Sequence, residues 1–193
     1  MDKLYSLKDI VVPYINLNSD DANKVNNEIK ELFDEMAQFF EEELTSTQTW
    51  YRISSYKYFI NDNILSILIT TESGGSAVET YEYHTYNFDL KTSKLLDYKS
   101  IYNSVGYTSD NIDSKVETAI NNYERLKEFA NEFYDKSLQE PITFKQKSIN
   151  NYYDSVANKK IAYFLDSNGK LNVIVRIEMP IGIGEFDTIL TIE

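Results

Sequence analysis

The stretch from Ile64 to Thr71, ILSILITT, carries apolar side chains at both parities, Ile64, Leu65, Ile67, Leu68 and Ile69. A strand with that pattern must be covered on both faces, which makes it central to whatever sheet it joins. Ser73-Gly74-Gly75-Ser76 breaks the run with two residues that tolerate positive φ, and Val78 to Leu90 returns with the β-branched and aromatic content of a partner strand. The spacing predicts one long hairpin followed by a turn at Asp89 to Lys94. Thr49 to Ile60 and the Asn61-Asp62-Asn63 turn supply a further strand before it, giving a meander of at least three. Leu95 to Tyr102 reads as an irregular connector with apolar plugs at Leu96, Ile101 and Tyr102.

Two helices are expected to cover such a sheet. Ala22, Val25, Ile29, Leu32, Phe33, Met36, Phe39 and Phe40 recur at three- and four-residue steps after the start signal Asn18-Ser19-Asp20-Asp21, predicting a helix over 20–44. Its acids, including Glu41-Glu42-Glu43, lie mostly off the apolar stripe and read as a solvated face. Three acids at a helix C-terminus oppose the macrodipole, a conflict that a basic partner would relieve. A second stripe, from Ile112 through Val116, Ile120, Tyr123 and Leu126 to Phe133, predicts a helix over 111–134 capped by Ser109-Asp110.

Around these, Asp9 to Leu17 suits an edge strand because Pro13 has no donor for a ladder. Pro141 and the polar tract Lys145 to Asn151 mark a surface passage. Ile161 to Leu165 and Leu171 to Met179 are strands joined by Asp166-Ser167-Asn168-Gly169, whose Asn-Gly pair signals a type I′ turn. The second arm alternates cleanly, with Asn172, Arg176 and Glu178 on the expected wet face. Pro180 to Gly184 is a bulge or loop, and Phe186, Thr188, Leu190 and Ile192 form a last strand. The fold class is α+β: a twisted antiparallel sheet of two meanders packed with two long amphipathic helices. Its 193 residues suit a single compact domain (1–193) of two halves, 1–97 and 98–193.

Charge and composition exclude several functions. The formal net charge is -12 and the lysines and arginines are dispersed, so there is no basic footprint for nucleic acid. An acidic surface is repelled by anionic lipid and attracts basic proteins. Without cysteine there is no disulfide framework, thiol catalysis or thiolate metal site. No stretch approaches the ~20 apolar residues of a spanning helix, so no direct membrane insertion is expected. The chain begins almost directly in structured pattern, as expected where an upstream anchor or signal has been removed.

No catalytic constellation emerges. His84, the only histidine, sits mid-strand and reads as structural, and no metal or cofactor is expected. Trp50 reads as core or sheet face. Asp166 to Gly169 shares only the opening of a calcium loop, and Gly74-Gly75 and Gly182-x-Gly184 match no phosphate loop. Glu79, Glu82, Asp89, Glu185 and Asp187 could supply a carboxylate pair for glycan hydrolysis, but spacing in sequence does not fix their separation. The candidate binding site is the hairpin tip, Ser73, Gly74, Gly75, Ser76 and Ala77, a small flexible loop on a rigid support.

One resemblance spans nearly the whole chain. It runs from Pro13-x-Ile15-Asn16 and Val25-Asn26-x-x-Ile29 through Gly74-Gly75 and Tyr86-Asn87-Phe88-Asp89-Leu90-Lys91-Thr92. It ends in a strand, Asn-Gly, strand, Pro-x-Gly unit. This order resembles the bacterial ectodomain module pairing the families of unknown function DUF4163 and DUF3298. That module occurs in lysozyme-sensing anti-sigma factors of the RsiV type and beside the catalytic domain of PdaC-type peptidoglycan deacetylases. The chain departs from it at Ser76-Ala77, where the family often has Ala-His, and at Thr92-Ser93, where it often has Thr-Gly. It also lacks a deacetylase domain. The resemblance implies a non-catalytic, extracytoplasmic, membrane-tethered domain that recognises a basic protein such as lysozyme or a peptidoglycan component. A carboxylate glycan-processing enzyme and a structural spacer are the alternatives.

Overall fold

The computed structural model describes residues 12–43, 51–74, 80–127, 132–180 and 186–193. It is an α+β protein with antiparallel sheets and helices, as the patterning predicts. The chain divides into two compact units, residues 1–58 with 62–95 and residues 59–61 with 96–193, and each is described by itself.

In the first unit, α1 (Asp20–Glu43) is followed by β1 (Tyr51–Asn61, whose last three residues belong to the second unit), β2 (Ile64–Gly74), β3 (Thr80–Asp89) and the short β4 (Lys94–Leu95). The strands form one sheet in the order β1-β2-β3-β4. β2 and β3 pair antiparallel from Ile64 opposite Asp89 to Ser73 opposite Thr80. β2 is buried on both faces: Ile67 and Ile69 join the core beneath α1, and Ser66 and Leu68 on the other face are also buried. Ser66 donates to Asn87 Oδ1 across the ladder at 2.7 Å, which satisfies two buried polar side chains at once. α1 starts where Ser19 Oγ accepts from Ala22 N, and its stripe Ala22, Val25, Ile29 and Phe33 is buried against Ile67, Ile69 and Phe88.

The expected edge strand over 9–17 is corrected where it is described. Val12 to Leu17 has no regular structure, because the backbone groups of Ile15 are bonded by a helix side chain, Asn26, rather than by a neighbouring strand. Asp9 to Val11 lie outside the described residues, as does Trp50.

The second unit contains α2 (Tyr98–Ser104), α3 (Ser109–Asn122), α4 (Glu124–Lys127), the hairpin β5 (Glu132–Asp135) and β6 (Glu140–Thr143), and α5 (Phe144–Ala157). It closes with the meander β7 (Ala162–Leu165), β8 (Leu171–Ile177) and β9 (Phe186–Thr191). The meander is a separate three-stranded sheet in the order β7-β8-β9. Leu171, Val173, Val175, Ile177 and Met179 are all buried on one face, as their alternation requires. α5 packs on β8, α2 on β7 and α3 on β9.

Four expectations are corrected here. The connector at 95–102 contains α2, begun by Asp97, whose carboxylate accepts from Ser100 N. The helix expected over 111–134 ends at Asn122: Tyr123 turns to ψ 117, and Phe133 belongs to β5, where its ring stacks on Phe144 at 4.5 Å. The polar tract Lys145 to Asn151 lies inside α5, capped by Thr143 Oγ1 on Gln146 N. Its inward positions are Phe144, Ser148, Ile149 and Tyr152. On the expected wet face of β8, Arg176 is exposed but Asn172 is buried, its amide bonded to Lys170 O and Thr191 Oγ1.

The Asp166–Gly169 turn joins β7 and β8 but is not type I′, since only Gly169 has positive φ (+72°). It is a three-residue loop in which Asp166 Oδ1 accepts from Asn168 N and Lys170 N, and Gly169 takes the left-handed position.

Candidate functional site

At the expected binding tip, Ser73 and Gly74 are the last residues of β2, with Ser73 opposite Thr80. Gly75, Ser76 and Ala77 lie outside the described residues, and so do Glu79 and Glu185. His84 sits on β3 opposite Ile69 and is half-buried. Among the described residues no group of three or more acidic or histidine side chains is placed to hold a metal ion, and no helix is long and apolar enough to cross a membrane.

Of the remaining carboxylates considered for glycan chemistry, the two in the first unit do not converge. Glu82 and Asp89 stand seven residues apart on β3, roughly 23 Å along a strand and on opposite faces. A hydrolytic pair needs about 5–9.5 Å. Asp89 instead holds the turn after β3: its Oδ1 accepts from Lys91 N and Thr92 N, and these bonds lower its pKa. In the second unit Asp187 Oδ1 accepts from Arg176 Nε at 3.0 Å.

Two other features stand out, one in each unit. In the first, α1 carries nine acidic residues and two lysines. Glu31, Asp34 and Glu35 are exposed on the face away from the Val25–Ile29–Phe33 stripe. Lys24 reaches Glu28 at 3.9 Å and Lys30 pairs with Asp34, both one turn apart on the surface, where such pairs contribute little. The helix thus presents a strongly acidic surface on a rigid, well-packed support.

In the second unit, α2, α3, α5 and β7 converge on a cleft of about 140 Å³. Tyr102, Tyr152 and Tyr163 are buried and form its floor, while Ser109 and Lys99 are exposed at its rim. Tyr152 OH donates to Asp113 Oδ1 at 2.6 Å and lies 3.2 Å from Tyr163 OH. Tyr102 OH and Ser109 Oγ are 3.0 Å apart, and the Tyr102 and Tyr163 rings meet edge to face at 5.8 Å. Burial first, and then the neighbouring Tyr163 and Asp113, push the Tyr152 phenol far above its ordinary pKa; burial raises that of Tyr163 also. Both remain neutral hydroxyls across the physiological range.

The cleft was not foreseen. Its side chains come from four elements, two of them helices absent from the expected arrangement, and no local motif marks them. The one local signal is the i, i+4 spacing of Tyr98 and Tyr102 on α2. No family model matches the chain, and no curated protein is detectably similar to it.

Proposed function

We propose that the protein is a non-catalytic recognition domain of the bacterial cell envelope, tethered outside the membrane, whose partner is a basic protein such as a lysozyme. The acidic face of α1 is the observation that carries this reading: nine acids against two lysines on one helix, with Glu31, Asp34 and Glu35 exposed. A single-signed field of this kind accelerates encounter with a basic partner and disfavours acidic ones. The resemblance to the paired DUF4163 and DUF3298 module supports the compartment and the partner class.

Titration calorimetry against a basic c-type lysozyme at low and high salt tests the reading, with Glu31→Lys/Glu35→Lys as the comparison. Tight binding that persists at high salt and is weakened by the charge reversal is the expected result. Absence of binding, or binding indifferent to the reversal, refutes the role given to α1.

A further inference from the structure

We infer that the tyrosine cleft of the second unit is a receptor for a single alkylammonium or guanidinium group, the end of a lysine or arginine side chain. For the source of that cation, a protein partner, the inference rests on the function proposed above; the preference for a cation stands on the cleft itself.

The hydroxyls of the floor are ordered by hydrogen count. Tyr152 has one hydrogen, and it goes to Asp113 Oδ1. The 3.2 Å bond between the two phenols must therefore take its hydrogen from Tyr163. The chain runs Tyr163 to Tyr152 to Asp113, each bond polarising the next, and it delivers hydrogen-bond donation to the carboxylate while spending the donors of both phenols. What this chain of bonds leaves for a ligand is the acceptor capacity of the half-buried Asp113 carboxylate, of whose roughly four lone-pair sites the Tyr152 bond uses one, while Tyr102 and Ser109 share a single bond of their own.

The rest of the lining points the same way. Tyr98, Tyr102 and Tyr163 contribute aromatic rings to it, and such rings attract cations through their quadrupole. One ammonium already uses it: Lys99 Nζ sits 5.9 Å from the centroid of the Tyr98 ring. The volume, about 140 Å³, is some ten times what one water needs, enough for a charged head and the last methylenes of a basic side chain. The Asp113 acceptors and the aromatic lining match a ligand that brings N–H donors and positive charge, whereas a carboxylate or phosphate would meet Asp113 head-on.

The test is an NMR titration of the full chain, read at the tyrosine ring signals, with n-butylguanidinium and n-butylammonium chloride against n-butanol and butyrate. The cations are expected to shift Tyr98, Tyr102, Tyr152 and Tyr163 while the alcohol and the acid do not. Asp113→Asn should weaken the cations about tenfold. Because that variant also alters the Tyr152 bond, Lys99→Ala is the decisive partner: it leaves the hydroxyl chain intact and removes a like charge, so cation binding should strengthen about two- to threefold. Equal shifts from n-butanol, no shifts from either cation, or weaker cation binding in Lys99→Ala overturn the inference. Failure of lysozyme to bind while the guanidinium does refutes the partner and leaves the cleft's preference standing; the reverse pair of results refutes the cleft alone.

Discussion

The side-chain amide of Asn26 makes both hydrogen bonds that the backbone of Ile15 offers: its Oδ1 accepts from Ile15 N at 2.8 Å and its Nδ2 donates to Ile15 O at 3.0 Å. One residue of α1 thereby does for the entering chain what a neighbouring strand would do, and it holds Ile15 in the core beside Val25 and Ile29.

Asn26→Ala leaves a donor and an acceptor without their protein partner, and the expected loss is about 1–3 kcal/mol by denaturant unfolding. Asn26→Asp is the sharper probe. A carboxylate keeps the bond from Ile15 N but faces Ile15 O with no hydrogen to give, so the variant should be weak at neutral pH. Protonating the new acid restores a donor. Its deficit relative to wild type should therefore shrink as the pH falls through the carboxylate range, and a deficit that does not change there refutes the two-bond account.

Gly169 sits at φ +72°, and a Cβ built there would stand 3.3 Å from Asn61 Oδ1, the far end of a side chain that donates through Nδ2 to Asp166 O. That oxygen can shift by a few tenths of an ångström, so the backbone conformation dominates. Gly169→Ala should cost about 1–2 kcal/mol, and Gly169→Asn less, because asparagine visits the left-handed region more readily. Thermal unfolding of the two variants checks the order; alanine as benign as asparagine would contradict it.

These elements also show what sequence patterning could and could not reveal. α1, β2 and β8 were legible because each buries an apolar set at its own period, and burial is what periodicity records. α5 was hidden because part of its inner face is polar. Ser148 is fully buried, but its hydroxyl donates to Phe144 O and accepts from Glu178 N, a partner 30 residues away that makes serine acceptable there. The helix expected to run to Tyr134 failed for the opposite reason. Leu126 and Phe133 continue the spacing of the stripe, yet Phe133 belongs to a hairpin, so a correct period was read across a break. The cleft needed four elements in place at once. Of the carboxylates considered for chemistry, Asp89 proved to be a turn residue.

Asp135 gives an acid-side prediction. Lys147 Nζ lies 2.7 Å from its Oδ2, and that bond, with those from Ser137, holds its carboxyl well below the usual range. A depressed folded-state pKa stabilises the protein above the unfolded value, near 3.8, and the contribution is lost as pH falls below it. Lys147→Met removes the largest cause, so the fall in melting temperature between about pH 4 and pH 2 should be shallower than in wild type. The hairpin β5–β6 should be where the difference localises in hydrogen exchange. An unchanged acid slope would mean that the ion pair is not what lowers Asp135.

At the alkaline end the tyrosines act with the opposite sign. Tyr86 is raised to about 12, chiefly by burial, and Tyr153 to about 12, chiefly by the hydrogen bond it donates to Glu117; Tyr152 and Tyr163 are raised as well. Each phenol ionises more readily in the unfolded chain, at about pH 10, so its stabilising contribution is complete below that pH and is lost as pH climbs toward the folded value. Stability should therefore fall steeply above pH 10, with cooperative unfolding accompanied by a burst of tyrosinate absorbance rather than a gradual titration of separate phenols. Tyr152→Phe removes one of these ionisations and should flatten the alkaline slope, even though at pH 7 it costs about 1–2 kcal/mol by leaving Asp113 and Tyr163 without the hydroxyl between them. If Tyr152→Phe lowers stability equally at pH 7 and pH 11, the buried phenol has no part in the alkaline transition.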